Sequence, residues 1–498
     1  MWLGIDIGTG GTRALVVDER CRVQAGATVA HRDIYMERPL WAEQDPDDWW
    51  NAASKAIPEA LSQAGVRGSD IRGIGLSGQM HGLVLVDGGR QVIRPSLIWC
   101  DQRSQPQVDC INSIVGKDAV LKFIANPMLT GFTLPKLLWV RDHEPENFAR
   151  ATKVLLPKDY LRLCLTEEFA TDVSDASGTG MFDVAGRQWS IGIMDALRLD
   201  RSLLPPAYES SKITGAVSKQ AAELTGLAAG TPVVAGGGDQ AASAVGNGIV
   251  QPGAVSCTLG TSGVVFAHME NLSYDPLGRV HTFCHAVPDK WHVMGVTQGA
   301  GLSLQWLRNR LAPDTDYDAL MAEASTAPAG SDGLFWLPYL MGERTPHLDS
   351  QARGGWIGLT ARHTRADLVR AVIEGVCYSQ KDCLDLIEEL GVEPFSVRAS
   401  GGGSRSAFWR QLLADVFGKP VARLATQEGS AHGAALLALA GTGEYSSVPE
   451  ICKAALREAD ALTPRPVEAA FYAKSHRIYA SLYPALQPYY QAISGLIG

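Results

Sequence analysis

Two carboxylates and two glycine-rich turns are the residues here best suited to chemistry on a phosphate. Asp6 closes the run Trp2-Leu3-Gly4-Ile5-Asp6 just before the turn Gly8-Thr9-Gly10-Gly11, and Asp239 follows Gly236-Gly237-Gly238. A carboxylate at the end of a buried strand can take the proton of an attacking hydroxyl. Asp is equally a favoured helix cap, and Ala241 to Val245 reads as the start of a helix, so spacing alone leaves both roles for Asp239 open. Glycine-rich turns offer backbone N–H groups to anions and let the backbone come close to a phosphate. A second such turn, Gly260-Thr261-Ser262-Gly263, repeats the first. The hydroxyls of Thr9, Thr261 and Ser262 add donors. One turn alone reads as a hairpin turn needing φ > 0; two matching turns favour a phosphate cradle. Mg²⁺ takes one or two carboxylates together with water and phosphate oxygens. Asp6, beside the first turn, is therefore the metal candidate with Asp239 as a second ligand, and Asp239 is the better base.

The elements that must position these groups repeat. Trp2 to Ile7 and Thr12 to Val17 read as a hairpin around the first turn; Ala254 to Leu259 and Val264 to Ala267 read as the same hairpin around the second. This implies a duplicated α/β chain with a boundary near residue 250, at the turn Gln251-Pro252-Gly253. The expected domains are 1–250 and 251–498. The copies differ where the first has Asp6 and the second Thr258, which suggests unequal roles in one shared site. A third strand is expected over 23–32, a helix over 49–64, strands over 71–76 and 83–86, and helices over 407–416 and 431–439.

Composition narrows the classes. A chain of 498 residues exceeds one core and calls for two domains or more. The net charge of −9 argues against a nucleic-acid partner. Nine cysteines stand singly, without metal spacing, as buried reduced thiols would. Neither a leader nor a membrane span is read from the sequence, so the expectation is a cytoplasmic protein. There is no G-x-x-x-x-G-K-[ST] loop. Gly73-Ile74-Gly75-Leu76-Ser77-Gly78 has dinucleotide-fold spacing, yet a second strand rather than a helix follows it. His81 lies between two strands and can serve as a structural hydrogen-bonder or a sugar contact. Trp41, Trp49, Trp50 and Trp99 could stack on a sugar face or simply pack.

Taken together, these residues resemble the FGGY carbohydrate kinases over essentially the whole chain. Gly131-Phe132-Thr133-Leu134-Pro135-Lys136-Leu137-Leu138-Trp139 continuing to His143 fits the family's first signature, and Gly354-Gly355-Trp356-Ile357-Gly358-Leu359 with 367–374 fits its second. The resemblance implies two actin-like (ribonuclease H-like) ATPase domains with a cleft between them, sugar against the first and ATP against the second. Trp41-Ala42-Glu43-Gln44-Asp45-Pro46, Gly78-Gln79-Met80-His81-Gly82, 155–162 and 337–347 are similar to the branch acting on D-xylulose. By that resemblance Met80 and His81 contact sugar, with Asp239 as base and Asp6 the acid near magnesium. Lys122 falls where a related enzyme has a sugar-contacting Arg. Gly402, Gly403 and Ser406 match the adenosine loop, while Gly8, Thr9, Gly10, Thr12, Gly260, Thr261 and Ser262 face the phosphates. Gln240 departs from the Asn that often follows the base in this branch and resembles glycerol kinases there, though 78–82 does not. The implied reaction is transfer from MgATP to a terminal hydroxyl of D-xylulose. The alternatives are another ketopentose, a pentitol or glycerol, and, from a different class, an actin-fold ATP-binding regulator. A homodimer is also implied.

Overall fold

In the computed structural model, which describes residues 1–425 and 428–497, the chain builds two mixed sheets. Strands β1 (Trp2–Ile7), β2 (Gly11–Val17) and β3 (Val23–Ala30) form an antiparallel meander. Helix α1 (Pro46–Ala64) starts where Asp45 accepts from Asp47 N with Pro46 in the first turn, and stops at Gly65 with φ 65°. Strand β4 (Gly73–Gly78) then lies parallel to β1. Helices α2 (Lys117–Ile124), α3 (Thr133–His143) and α4 (Pro157–Thr166) follow, and strands β5 (Ile213–Ala216) and β6 (Pro232–Val234) complete the sheet in the order β5-β6-β4-β1-β2-β3. Helix α5 (Asp239–Gly246) ends this half.

The second half repeats the plan. Strands β7 (Ala254–Leu259) and β8 (Gly263–Met269) form the second hairpin, with β9 (His281–Cys284) and β10 (Trp291–Thr297) beyond it. After helices α6 (Ala300–Leu311) and α7 (Arg365–Glu389), β11 (Ser396–Ser400) pairs parallel with β7. Helix α8 (Ala407–Phe417), strand β12 (Val421–Leu424), helix α9 (Gly429–Gly441), strand β13 (Glu458–Leu462) and helix α10 (Pro466–Ile497) finish the chain; the sheet order is β9-β10-β8-β7-β11-β12-β13. Registers coincide as well: Asp6 lies opposite Ser77, and Thr258 opposite Ser400. This is the duplication expected from the two hairpins. Strand and helix ends shift by a few residues: the strand expected over 71–76 runs over 73–78, and the helix expected from 49 begins at Pro46.

Alternation along β1 sorts its side chains. Leu3, Ile5 and Ile7 join the core under α1, whereas Trp2 packs with Ala431, Ala435 and Leu436 of α9. A Cβ on Gly4 would meet Ala431 O at 1.9 Å, and one on Gly75 Ala434 O at 1.8 Å. Thus α9, from the second half, lies on bare backbone of the first sheet, which is what glycine in a strand interior permits. Gly73 and Gly75 serve packing and cradle no phosphate. Helix α9 also crosses α5 at glycines: a Cβ on Gly433 would fall 1.8 Å from Ala242 O. All nine cysteines are unpaired; six are buried, Cys100 and Cys164 half-buried, and Cys110 exposed. No helix of the described residues is long and apolar enough to cross a membrane.

Candidate active site

Asp6 shares the α9 face of β1 with Trp2 and Gly4, and it ends that row. The residue is half-buried, but its Oδ1 is sealed from solvent without a hydrogen-bond partner. Burial raises its carboxyl above the ordinary range, against the opposing pull of the Ser430 and Ser77 hydroxyls and of Arg13. Ser430 lies in the first turn of α9, and Arg13 pairs with Glu428, so the second half of the chain reaches this carboxylate.

Asp239 arrives beside it through glycine. Gly236 sits at φ 81°, and a Cβ there would lie 2.2 Å from Leu76 O. Only glycine satisfies both demands. Gly237 and Gly238 then run parallel to β4 opposite Ser77 and Gly78, one strand over from Asp6 and Ile7. Gly238 is the cap of α5, and Asp239 is its first residue. Gly238 rather than Asp239 is the helix cap, and the Asp239 carboxylate accepts from the backbone and side chain of Gln240. Burial and the neighbouring Asp6 charge push its carboxyl up to about 7, while the Gln240 amide and side chain hold it down.

A buried ionic cluster backs this turn. Lys158 Nζ lies 2.6 Å from Asp159, 2.9 Å from Asp172 and 3.5 Å from Asp175, with all four side chains at 0–1% exposure. Asp172 Oδ2 accepts from Ser174 N at 2.8 Å and Ser174 Oγ at 2.6 Å, and Ser174 Oγ accepts from Gly238 N at 3.2 Å. Arg162, one turn beyond Lys158 on α4, donates to Val234 O at the end of β6. Asp239 is therefore held from behind at both the strand and the cap. Sequence reasoning placed 155–162 only in a similarity; the available signal was a Lys-Asp pair inside an otherwise apolar helix start.

Met80 and His81 form one wall. A Cβ on Gly238 would meet Met80 Cγ at 2.8 Å, so Met80 abuts the turn that carries Asp239. His81 stands at φ 69°, and its Nδ1–H donates to Gly178 O at 2.6 Å, leaving Nε2 open. Burial drives the imidazole down to about 3, aided by the charges of Lys136, His281 and Arg344 and opposed by the Gly178 bond. It is thus a neutral acceptor at pH 7. Lys136, missed as a functional residue although it interrupts an apolar helix, is fully buried and donates to His81 O at 3.0 Å and Gly131 O at 2.6 Å.

The first glycine turn closes with Gly8 N donating to Gly11 O at 3.0 Å. Thr9 Oγ1 accepts from Trp99 Nε1 at 3.0 Å, and Thr9 O accepts from Gln44 Nε2 at 2.7 Å. Trp99 is the one of the four singled-out tryptophans that borders the site; Trp49 is wholly buried, and Trp41 lies under the Arg103 guanidinium and meets Trp139 edge-on. Thr12 is fully buried with its hydroxyl on His31 Nε2 at 2.8 Å, so it shapes the turn from inside. In the second turn Thr261 and Ser262 are exposed at the tip. No glycine of either turn has positive φ; a Cβ on Gly11 would meet Val29 O at 2.8 Å and one on Gly263 Gln380 Nε2 at 2.0 Å, whereas one on Gly10 has open space around it.

The start of α6 docks on the second turn, with Gly301 N donating to Gly260 O at 2.7 Å and Leu302 N to Thr261 O at 3.0 Å. The exposed face of α6 lines a groove of 340 Å³ with Leu302, Gln305 and Trp306. Gly401 at φ 78° and Gly403 wrap Leu259 at the end of β7, Gly402 is exposed with open space around it, and Ser406 caps α8 by accepting from Trp409 N at 3.2 Å. Lys122 is exposed on α2 and makes no contact with the groups above. Asp6, Asp239, Gln240, Met80, His81 and the first turn thus gather at the first sheet; Gly260 to Ser262 and Gly402 to Ser406 gather at the end of β7.

Family models agree with this division: the N-terminal domain of the FGGY family of carbohydrate kinases matches residues 1–246 and its C-terminal domain residues 255–442. The chain is 42% identical over 489 residues to a xylulose kinase of Escherichia coli, covering 98% of this chain and 96% of that one. A crystal structure of a "xyloylose kinase" from Brucella ovis superposes with a TM-score of 0.91 at 38% identity, over 98% of this chain and 99% of that one. A gluconate kinase from Lactobacillus acidophilus superposes with a TM-score of 0.93 at 27% identity, over 99% of both.

Proposed function

Because the chain belongs to the FGGY family of carbohydrate kinases, a sugar-phosphorylating enzyme family with the actin-like two-domain fold, we propose that it transfers the γ-phosphoryl group of ATP to D-xylulose. The observation that carries this reading is the Asp239 carboxylate, free of capping and held beside Asp6 with Met80 and His81 on its flank. Asp239 takes the proton of the sugar's terminal hydroxyl, O5, which attacks the γ-phosphorus in line, giving D-xylulose 5-phosphate and ADP. Neutral His81 accepts from a sugar hydroxyl through Nε2, and Gln240 and Met80 fix the near end of the chain. Lys122, where a related enzyme has a sugar-contacting Arg, is exposed on α2.

ATP phosphates lie between the turns at Gly8–Gly11 and Gly260–Gly263, whose N–H groups and the Thr261 and Ser262 hydroxyls meet the charge on the transferring group. Thr9 and Thr12 hold the first turn, and Gly402, Gly403 and Ser406 carry the adenosine. The orphaned Oδ1 of Asp6 fits Mg²⁺, with Asp239 as second carboxylate. The described residues hold no cluster of three His, Cys, Asp or Glu that could cage a metal, which suits an ion that keeps waters and phosphate oxygens. When bound, that ion neutralises charge on the phosphates. We take 1–250 and 251–498 as the two domains, a cytoplasmic setting consistent with nine unpaired cysteines, and a homodimer testable by light scattering.

The test is coupled ADP release with MgATP across D-xylulose, D-ribulose, L-xylulose, L-ribulose, xylitol, glycerol and D-gluconate. Preference for D-xylulose, with Asp239→Asn lowering kcat by about 10²–10⁴-fold in a folded protein, supports the reading. Near-normal turnover in that variant removes Asp239 as base. Preference for D-gluconate, acted on by a structural neighbour, would move the substrate to a sugar acid. Sugar-independent ADP release would favour the ATP-binding regulator.

A further inference from the structure

We propose that Arg344 reaches from the second half of the chain into the sugar pocket and donates to the keto end of the substrate, making it a specificity-determining residue; this rests on the ketose reading above. Strands β9 and β10 pair from His281↔Met294 to Cys284↔Trp291. Two residues beyond that ladder, where Arg279 would face Val296, Thr345 fills the gap. Thr345 N donates to Val296 O at 3.0 Å, Val296 N to Thr345 Oγ1 at 3.1 Å, and Thr345 Oγ1 to Arg279 O at 2.7 Å. On its other side Glu343 Oε1 accepts from Gln298 N and from Arg344 N, both at 2.8 Å. Arg344 is thus clamped between two anchored neighbours, at the end of β9 that begins with His281.

His281 belongs to the same wall as His81. Both rings flank Phe132, at centroid distances of 6.3 Å and 5.0 Å, and the Arg344 charge reaches both imidazoles. Arg344 is half-buried, and its side chain makes no hydrogen bond or ion pair among the described residues. Arg103 and Arg370 instead pair within the fold, with Asp101 and Glu43 and with Glu374. A half-buried guanidinium without a partner keeps its donors open to a ligand.

Asp239, Met80 and His81 follow one another on the first half, and the Arg344 charge acts on His81 and His281 from the second. A ketose whose O5 lies at Asp239 brings its C2 carbonyl and 1-hydroxyl toward the far end. Guanidinium offers only donors and neutral imidazole Nε2 only an acceptor. A carbonyl oxygen beside a hydroxyl matches that pair; a pentitol has no carbonyl there, and Lys122 is turned to solvent.

The experiment compares Arg344→Met and Arg344→Lys with the parent enzyme on D-xylulose, xylitol and D-gluconate, with the KM for ATP measured alongside. Losing a charged hydrogen-bond donor predicts a rise of about tenfold or more in KM for D-xylulose in Arg344→Met. The proposal also expects a reduced preference for D-xylulose over xylitol, an unchanged KM for ATP, and partial recovery in Arg344→Lys. If Arg344→Met does not fold, Arg344→Lys carries the same comparison, since moving the charge off the planar fork weakens carbonyl recognition. An unchanged KM for sugar, a rise confined to ATP, or a loss confined to D-gluconate overturns it. Failure of the ketose reading itself shows earlier, as a parent enzyme that does not prefer D-xylulose.

Discussion

Replacing Gly433 by Ala adds one methyl group to α9 where that helix crosses α5. The new Cβ would lie 1.8 Å from Ala242 O, 2.7 Å from Ala242 C and 2.9 Å from Gly246 N. Every one of these is backbone, so no side chain can swing aside. Reaching even 3.0 Å from the carbonyl requires the helices to part by about 1.2 Å (3.0 − 1.8). Overpacking of this kind costs about 1–3 kcal/mol, against which alanine's helix propensity returns up to about 1 kcal/mol. Ala242 lies three residues after Asp239 on the same helix, so the parting carries the base with it, and a misplacement near 1 Å can cost about 10²-fold in rate. We therefore expect Gly433→Ala to lower kcat by about 10²-fold and to lose about 1–2 kcal/mol in urea unfolding. Gly402→Ala, with open space around the added carbon, serves as the stability control. Parental kcat and parental stability in Gly433→Ala would refute the close crossing and its link to the base.

Lys158→Met removes the cation shared by Asp159, Asp172 and Asp175, and leaving charges uncompensated predicts a loss of about 3–5 kcal/mol in chemical denaturation; a loss below about 1 kcal/mol would mean the cluster is already neutral. Four buried histidines predict acid sensitivity. Burial holds His81, His281 and His292 at about 3, and His285 well below its usual value. Their folded values lie below the unfolded value of about 6.5, so the unfolded chain binds more protons. Stability is then complete above about pH 6.5 and falls from there toward pH 3. Asp239 at about 7 and Glu343 at about 8 act in the opposite sense, so the ring contribution is read as the difference in urea midpoint between the parent and His292→Phe: it should be constant above about pH 6.5 and shift against the parent below, and a constant difference to pH 4 would contradict the neutral, buried ring.

Much of the architecture could be read because it is local. The Gly-Thr-small-Gly turns sit between alternating strands, and alternation is short-range, so both hairpins and their duplication follow from neighbouring residues. The Asp6-for-Thr258 exchange falls at the same register in each sheet. Other features join distant stretches. Nothing near residue 158 announces Asp172 or Asp175, and nothing near 344 announces His281. Thr12, expected at the phosphates, is buried with its hydroxyl on His31, a partner that nothing near residue 12 announces. No glycine of either turn takes positive φ, and close packing excludes a side chain only at Gly11 and Gly263. Gly4 and Gly75 did carry a signal: glycines in neighbouring strands mark a close backbone approach, though the approaching helix lies hundreds of residues away.

That helix has a consequence for how the protein is made. The first sheet's face formed by Trp2, Leu15 and Val17 is covered by α9, and the 182 residues from 247 to 428 separate α9 from the end of α5. At roughly 5–20 residues per second of synthesis, that face waits about 9–36 s for its cover. During this interval the nascent chain presents apolar surface and bare strand backbone to the cell, at the start of the sequence rather than the end. The two halves are therefore not beads on a string: the first is finished by almost the last element the ribosome delivers, and a chain released at residue 250 emerges with one side of its sheet open to water.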